Sequence, residues 1–134
     1  MSKLKQLLYF FMFVAFSHSC YAQVGQMEAV GQCYGIMFYG VKNYKIPPTQ
    51  FSQQVQKVIV KYGNDISKDI GFVVKCRNGS TDEKIAVACV NKLPQIDKDL
   101  MYGFTEGMNA ASKTISPEHL KGIADLTCIG TSPN

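Results

Sequence analysis

The stretch MEAVGQCYGIMFYGV, residues 27–41, decides which class of fold to expect. Its apolar side chains recur at steps of three and four residues, the spacing that places side chains on one face of an α-helix. The stripe consists of Met27, Val30, Tyr34, Met37, Phe38 and Val41. This pattern predicts a helix with one face buried against other helices.

Two glycines lie within this stripe at a spacing of four residues. Gly31 and Gly35 form a small-xxx-small pattern. In a membrane such a pair forms dimer seams, whereas in a water-exposed domain it more often marks close packing between helices. We expect close packing within the chain, and the sequence leaves a homodimer open.

The remaining chain repeats the helical pattern. Apolar residues recur at helical spacing in residues 51–62, 66–74, 85–93, 96–111 and 120–124. The sequence therefore predicts an all-α fold, a compact bundle of about five helices stapled by two disulfides, in a single domain of residues 23–134. Gly63 is expected to end the second helix, and residues 71–76 are short enough to form a strand instead.

Local signals mark where several helices begin. Ile46-Pro47-Pro48 separates the first helix from the second, because proline lacks a backbone donor and disfavours helix in the residue before it. Ser80 and Glu83 fit a capping box. Ser116-Pro117-Glu118 places a serine N-cap before a proline and an acid, which predicts the start of the last helix.

Residues 1–22 have the three parts of a secretion signal. Two lysines provide the basic start, Leu7–Phe16 is an unbroken apolar run, and Cys20-Tyr21-Ala22 places small residues just before the expected cut. The apolar run is shorter than the ~20 residues that span a bilayer, so we expect cleavage instead of a membrane or lipid anchor. The exported chain is then residues 23–134, expected in the periplasm, with secretion from the cell as the alternative.

Composition argues against several classes of ligand. Without the two lysines of the signal, 12 basic residues face 10 acidic ones, and they are interspersed along the chain without a basic stripe. We therefore expect no nucleic-acid partner. The exported chain has a single histidine, His119, and we expect neither a metal nor a cofactor.

Four cysteines remain once the signal is removed: Cys33, Cys76, Cys89 and Cys128. An even number in so short an exported chain indicates two disulfides. Zinc is the competing interpretation, but the chain has no CxxC pair and its histidine lies far from the usual metal-ligand spacings. Three pairings are open, and we prefer Cys33–Cys76 with Cys89–Cys128.

The sequence contains no familiar catalytic motif. It has no GxGxxG, P-loop, HExxH or GxSxG pattern. Asp97 and Asp99 are two residues apart, so on a helix they point to different faces. His119 is expected near a helix N-terminus in a surface or half-buried role. We expect a protein that is not an enzyme.

Aromatic side chains crowd the first helix and its exit. Tyr34, Phe38 and Tyr44 are explained by ordinary core packing. Tyr39 lies off the main apolar stripe. We therefore expect Tyr39 to be exposed and available to a protein partner, because tyrosine is favoured at interfaces.

The segment between Cys33 and Cys76 carries a recognisable series of motifs. They are Cys33-Tyr34-Gly35, Gly40-Val41, Ile46-Pro47-Pro48, Gln54, Val58-Ile59-Val60-Lys61-Tyr62 and the closing Cys76. In these pieces the chain resembles the Rap/Tai group of immunity proteins, which protect bacteria from cell-wall amidase effectors of type VI secretion. Lys45 stands where the group usually has a cysteine, and the likeness covers about a third of the chain.

This resemblance implies a helical periplasmic protein that binds an incoming amidase directly and blocks it. We expect the turn after Cys76 to be the inserting element, because it is polar, tightly capped and close to a cysteine. Its candidate partner-binding residues, together with Tyr39, are Arg77, Asn78, Ser80, Asp82 and Glu83.

The sequence is also compatible with two other functions, an exported carrier and a small hydrolase. The methionines, phenylalanines and tyrosines at helical spacing can line a cavity, which would suit an exported carrier of a small apolar ligand. A small hydrolase that uses Glu106 or His119 is the third interpretation, for which the sequence suggests no substrate.

Overall fold

The computed structural model describes the backbone of residues 18–131 and the side chains of residues 25–131. Within that range the chain forms five α-helices, one short 3-10 helix and no strand, which confirms the predicted all-α bundle. The elements are α1 (His18–Asn43), the 3-10 helix (Pro48–Gln50), α2 (Gln53–Arg77), α3 (Glu83–Val90), α4 (Gln95–Ala111) and α5 (Pro117–Ile129).

The expected signal peptide falls mostly outside the described residues. Residues 1–17 are not among them, and the expected cut before Gln23 lies within α1. Among the described side chains of α1, Met27 is the first that packs against the core.

α1 and α4 form the most extensive helix pair of the bundle. Gly31 and Gly35 of α1 face Gly103 and Gly107 of α4, and the two backbones touch along this line, the glycine seam. A Cβ atom at Gly31 would overlap the backbone oxygen of Leu100, and one at Gly103 would overlap that of Glu28. The predicted close packing is confirmed, and it lies within the chain.

α5 covers another side of α1. Leu120, Ala124 and Cys128 of α5 are fully buried, and Cys128 forms a disulfide with Cys33 in the middle of α1. The start of α5 is confirmed, because the Ser116 hydroxyl accepts a hydrogen bond from the His119 backbone N–H at 3.0 Å. The end of the chain is thus tied to the centre of the bundle.

α2 is one helix of 25 residues, where the sequence predicted two. Gly63 does not end it. Gly63 is buried against the Tyr34 ring, and the fully buried Val58 and Ile66 flank it, so burial carries the helix across the glycine. The strand considered for residues 71–76 is helical too.

The two disulfides are present, but their pairing differs from the prediction. Cys33 bonds to Cys128 and Cys76 to Cys89, instead of Cys33–Cys76 with Cys89–Cys128. Cys33 faces α5 from the middle of α1, whereas Cys76 lies at the end of α2 beside the short α3. Two disulfides in one small domain are typical of an oxidising compartment outside the cytosol.

The predicted capping box at α3 is wrong. Asp82, not Ser80, is the N-cap, and its carboxylate accepts a hydrogen bond from the Lys84 backbone N–H at 2.9 Å. The predicted core face of this helix is also only partly correct, because Cys89 is buried while Ile85 is exposed. α3 has eight residues, and its main contact is with α2. Its other faces are therefore exposed to solvent.

The surface of α2 overturns one expectation about charge. Acidic and basic residues are interspersed in the sequence, yet four lysines share the outward face of α2: Lys57, Lys61, Lys68 and Lys75. Their spacings of four and seven residues bring them to one side of a helix with 3.6 residues per turn. A basic stripe therefore exists on the folded protein.

Candidate functional site

The candidate site is the tip, residues 76–89, a segment closed on itself by the Cys76–Cys89 disulfide. It consists of the last residues of α2, a turn and most of α3. The disulfide joins residues 13 positions apart, with their Cα atoms 5.8 Å from each other. The five predicted partner-binding residues after Cys76 all lie in this segment.

Hydrogen bonds within the turn hold its shape. The Arg77 guanidinium donates from Nε and from a terminal nitrogen to the Ser80 carbonyl, at 3.2 and 3.1 Å. Ser80 in turn donates its backbone N–H to the Arg77 carbonyl at 2.9 Å. Its hydroxyl accepts from the Asp82 N–H at 3.1 Å. Arg77 and Ser80 are therefore occupied within the tip, and they position its other side chains.

The turn depends on two residues with left-handed backbone. Asn78 has φ 50° and Gly79 has φ 85°. Asparagine and glycine are the residues that adopt this conformation at least cost. Asn78 also ends α2, where its N–H donates to the carbonyls of Val74 and Lys75. The chain reverses here because the backbone preferences of Asn78 and Gly79 favour a turn.

The outer surface of the tip combines charged and apolar side chains. Asn78, Asp82 and Glu83 are exposed. On α3, Ile85 and Val87 are 41% and 43% exposed, and Cys89 is the buried residue of that helix. Apolar side chains surrounded by polar ones are the arrangement found in protein–protein interfaces.

The structure does not bring Tyr39 to this site. Tyr39 is half-buried against the core, with its ring 6.3 Å from that of Tyr44 in an edge-on contact. It lies near the end of α1, where the chain turns towards the start of α2, whereas the tip follows the other end of α2. A helix of 25 residues is about 37 Å long. Tyr39 therefore lies apart from the other five candidate residues, and its role in partner binding stays a prediction.

Glu106 and His119, the residues considered for hydrolysis, line one open groove between α4 and α5 of about 420 Å³. Their polar atoms have structural partners. Glu106 Oε1 accepts from Gln32 Nε2 at 2.8 Å, and His119 Nδ1 accepts from the Ile115 N–H at 3.2 Å. The Thr114 hydroxyl donates to the Ala111 carbonyl at 2.6 Å. The bond of Glu106 joins α4 to α1. The bonds of His119 and Thr114 hold the loop between α4 and α5.

Two acidic side chains meet across the glycine seam. Burial, the neighbouring Glu106 carboxyl and the charge of Asp99 together raise the pKa of Glu28 to about 8. Neighbouring like charges disfavour double ionisation, so the protonated form of Glu28 is favoured. A protonated Glu28 can stand beside Glu106 between α1 and α4 without repulsion between two charges.

A second acidic pair joins α2 to α4. Burial, the neighbouring Asp97 carboxyl and the charge of Asp65 together raise the pKa of Asp69 to about 7. Lys68 acts in the opposite direction. The prediction that Asp97 and Asp99 face different sides of α4 agrees with this geometry, since Asp97 meets α2 and Asp99 faces Glu28 on α1.

Neither acidic pair forms a metal site. Among the residues that the structure describes, no group of three or more histidine, cysteine or acidic side chains is arranged to hold an ion. In the same part of the chain, no helix has the length and apolar character needed to cross a membrane.

Sequence reasoning missed three features that bear on the site. The partners of the seam, Gly103 and Gly107, repeat the four-residue spacing already visible at Gly31 and Gly35, so a local signal for them existed. No local signal in the sequence indicates that Ile85 is exposed, because its exposure depends on how few other helices surround α3. The lysines of α2 could have been found from their spacing once α2 was treated as one helix.

Comparison of the chain with models of protein families, with curated proteins and with solved structures finds no match.

Proposed function

We propose that this protein is an exported inhibitor that binds a cell-wall-degrading amidase effector of type VI secretion and blocks it with its tip. The observation that supports this most is the construction of the tip. It is braced by its own disulfide and hydrogen bonds, and its apolar contribution to the packing of the bundle is Cys89 in the core and Cys76 against it. A segment built in this way has its outer surface free for a partner.

Pre-organisation is the physical advantage of such a tip. A loop that must become ordered on binding loses conformational entropy, which lowers the affinity. The Cys76–Cys89 disulfide and the Arg77–Ser80 hydrogen bonds fix the tip before it meets a partner. Binding then gains nearly the full benefit of its contacts.

Inhibition would be steric. The narrow end of the tip around Asn78 and Gly79 would enter the substrate groove of the amidase, while Ile85 and Val87 would bury apolar surface at its rim. Asp82 and Glu83 add negative charge, which would complement a groove that accepts the carboxylate-bearing peptides of the cell wall. The resemblance between residues 33 and 76 supports the class of partner, and the tip begins where that resemblance ends.

An exported carrier of a small apolar ligand is less well supported. The groove between α4 and α5 is open and includes Glu106, Lys113 and His119 in its lining. A site for an apolar ligand is usually enclosed and mostly apolar. No specific observation favours this function over inhibition.

The test is capture followed by an enzymatic assay. The oxidised chain from Gln23 onward, carrying a tag, is used to recover a partner from extracts of the organism that encodes it. We expect a one-to-one complex with a protein that cleaves peptidoglycan, and we expect its activity to fall as the inhibitor is titrated. A captured partner without such activity, or one still active when saturated, would refute the proposal.

A matched pair of variants locates the inhibitory surface. Asn78→Gly with Asp82→Asn keeps the left-handed turn and the N-cap of α3 but removes an amide and a charge. We expect at least about tenfold weaker inhibition. Asn109→Ala with Glu118→Gln makes a similar change at exposed positions of α4 and α5, and we expect it to inhibit like the unaltered protein.

A further inference from the structure

The outward face of α2 carries a second surface that the tip does not use. Lys57, Lys61, Lys68 and Lys75 are all exposed, and they define the lysine face. On a helix with 3.6 residues per turn they lie within a sector of roughly 40°, and the first and last are about 27 Å apart. The four charges therefore form one straight row.

The acidic residues of α2 offset this row only in part. Asp69 is buried against Asp97 of α4, roughly 80° or more from each lysine around the helix axis. Asp65 is exposed and lies beside the row, between the turns of Lys61 and Lys68, where one carboxylate can offset part of their charge. Four lysines beside one exposed carboxylate leave the lysine face with a net positive charge.

Apolar side chains border the lysines on both sides. Val60, 83% exposed, borders the row on one side, and Phe72, 43% exposed, borders it on the other. Val74 is 60% exposed but lies further round the helix, roughly 100° from the nearest lysine. The lysine stems are themselves apolar, with the charge at their ends. The face is therefore basic at its tips and apolar beneath them.

We propose that the lysine face binds the surface of an anionic phospholipid bilayer, with α2 lying parallel to it. Lysine is a flexible point charge, which suits headgroups that move laterally, and each lysine near an anionic membrane adds attraction. Val60 and Phe72 would reach the boundary between headgroups and acyl chains, as the apolar residues of interfacial helices do. A DNA phosphate backbone would attract the lysines but would give these apolar side chains no burial.

This binding is peripheral and does not depend on the inhibitory function of the tip. An exported protein held at a membrane surface would be concentrated along that surface. The tip follows α2 directly and would then lie beside the bilayer.

Co-sedimentation with vesicles tests the proposal. The disulfide-bonded protein, purified after export, is mixed with vesicles of phosphatidylcholine that contain about one-third phosphatidylglycerol, and with vesicles of phosphatidylcholine alone. We expect sedimentation with the anionic vesicles only, and weaker binding when salt rises from about 50 to about 200 mM. Failure to sediment with anionic vesicles at low salt would overturn the proposal.

Two variants with equal loss of charge separate the face from net charge. Changing Lys57, Lys61, Lys68 and Lys75 to Gln should weaken vesicle binding by at least about tenfold, because each removes one attraction. Changing Lys42, Lys45, Lys92 and Lys113 to Gln removes as much charge elsewhere, and we expect less than about a threefold effect. Equal losses in the two variants would refute a specific face.

A third variant separates lipid from other polyanions. Val60→Ser with Phe72→Ser should weaken binding to anionic vesicles a few-fold and leave binding to double-stranded DNA unchanged, because only the bilayer buries these side chains. Binding to DNA without binding to vesicles would identify a phosphate-backbone surface instead and overturn the assignment to lipid.

Discussion

The glycine seam and the tip are built in opposite ways. At the seam, Gly31 and Gly103 let two helix backbones touch, and any added atom would overlap the other helix. At the tip, Ile85 and Val87 remain exposed and a disulfide supplies the support that packing does not. Packing between two helices stabilises the seam, whereas the tip is stabilised by a disulfide and hydrogen bonds within its own segment.

This difference shows where each kind of change should be tolerated. A residue in the seam is constrained by shape, because both backbones are fixed by the packing of α1 on α4. An exposed residue in the tip is constrained only by the turn and by whatever partner it meets. Variants that change one region, with the other region or a position outside both as the control, measure how far the two differ.

The largest effect is expected from opening the disulfide that ties α5 to α1. Cys33→Ser with Cys128→Ser releases a loop of 95 residues, which in the chain-entropy model lowers the free energy of unfolding by about 4.5 kcal/mol. Urea denaturation of the purified variant measures this. A loss below about 1 kcal/mol would mean that α5 stays in place through packing alone.

The next effect is expected within the seam itself. Gly103→Ala places a Cβ atom against the backbone of Glu28, so α1 and α4 must separate, at a cost of about 2–3 kcal/mol. Gly71→Ala is the matched control, since no atom lies within 4 Å of its Cβ position in α2. There we expect stabilisation by about 0.5–1 kcal/mol from helix propensity. The seam would be refuted if both variants changed stability in the same direction.

Opening the tip should have a smaller and more local effect. Cys76→Ser with Cys89→Ser releases a loop of 13 residues, for which chain entropy gives at most about 3 kcal/mol. Because α3 packs mainly on α2, we expect faster hydrogen exchange in α3 and unchanged exchange at the seam. Faster exchange at Gly31 and Gly103 would show that the two regions are coupled.

A dependence of stability on pH is also expected, and it runs against ordinary acid denaturation. Solvent around the half-buried Glu28 weakens it. Glu28 has an ordinary pKa of 4.5 and a folded pKa of about 8, so the folded state holds a proton that the unfolded state releases. This contribution to stability is complete below about pH 4.5 and is lost as pH rises through about 8. Asp69, with a folded pKa of about 7, acts in the same direction.

Urea midpoints at about pH 5 and about pH 8 measure this dependence. Glu28→Gln keeps a neutral side chain at both values, so we expect a flatter profile than in the unaltered protein. The residual slope would come from Asp69. Glu118→Gln, at an exposed position of α5, should leave the profile unchanged. A profile that stays equally steep in Glu28→Gln would exclude the pair with Glu106 as its source.

Features with local causes could be predicted from the sequence. The start of α5 was correct because Ser116 satisfies a backbone donor three residues away, at His119. The break before α2 was correct because Pro47 and Pro48 act on their immediate neighbours. The turn of the candidate site could be predicted for the same reason, since Asn78 and Gly79 favour it through their own backbone preferences.

Features with distant causes could not be predicted in this way. Gly63 continues α2 because Tyr34 of another helix covers it, and a rule about helix ends contains no information on that contact. Four cysteines allow three pairings, and spacing along the chain did not indicate that Cys33 would face Cys128. The Glu28–Glu106 pair is likewise a consequence of the seam, which only the folded chain brings together.

The most direct test of the central claim is inhibition of the captured amidase by the protein with an opened tip. The variant Cys76→Ser with Cys89→Ser keeps the glycine seam and the Cys33–Cys128 disulfide. If the tip acts because it is pre-organised, this variant remains folded and inhibits at least about tenfold more weakly than the oxidised protein. Undiminished inhibition by the opened variant would contradict the account.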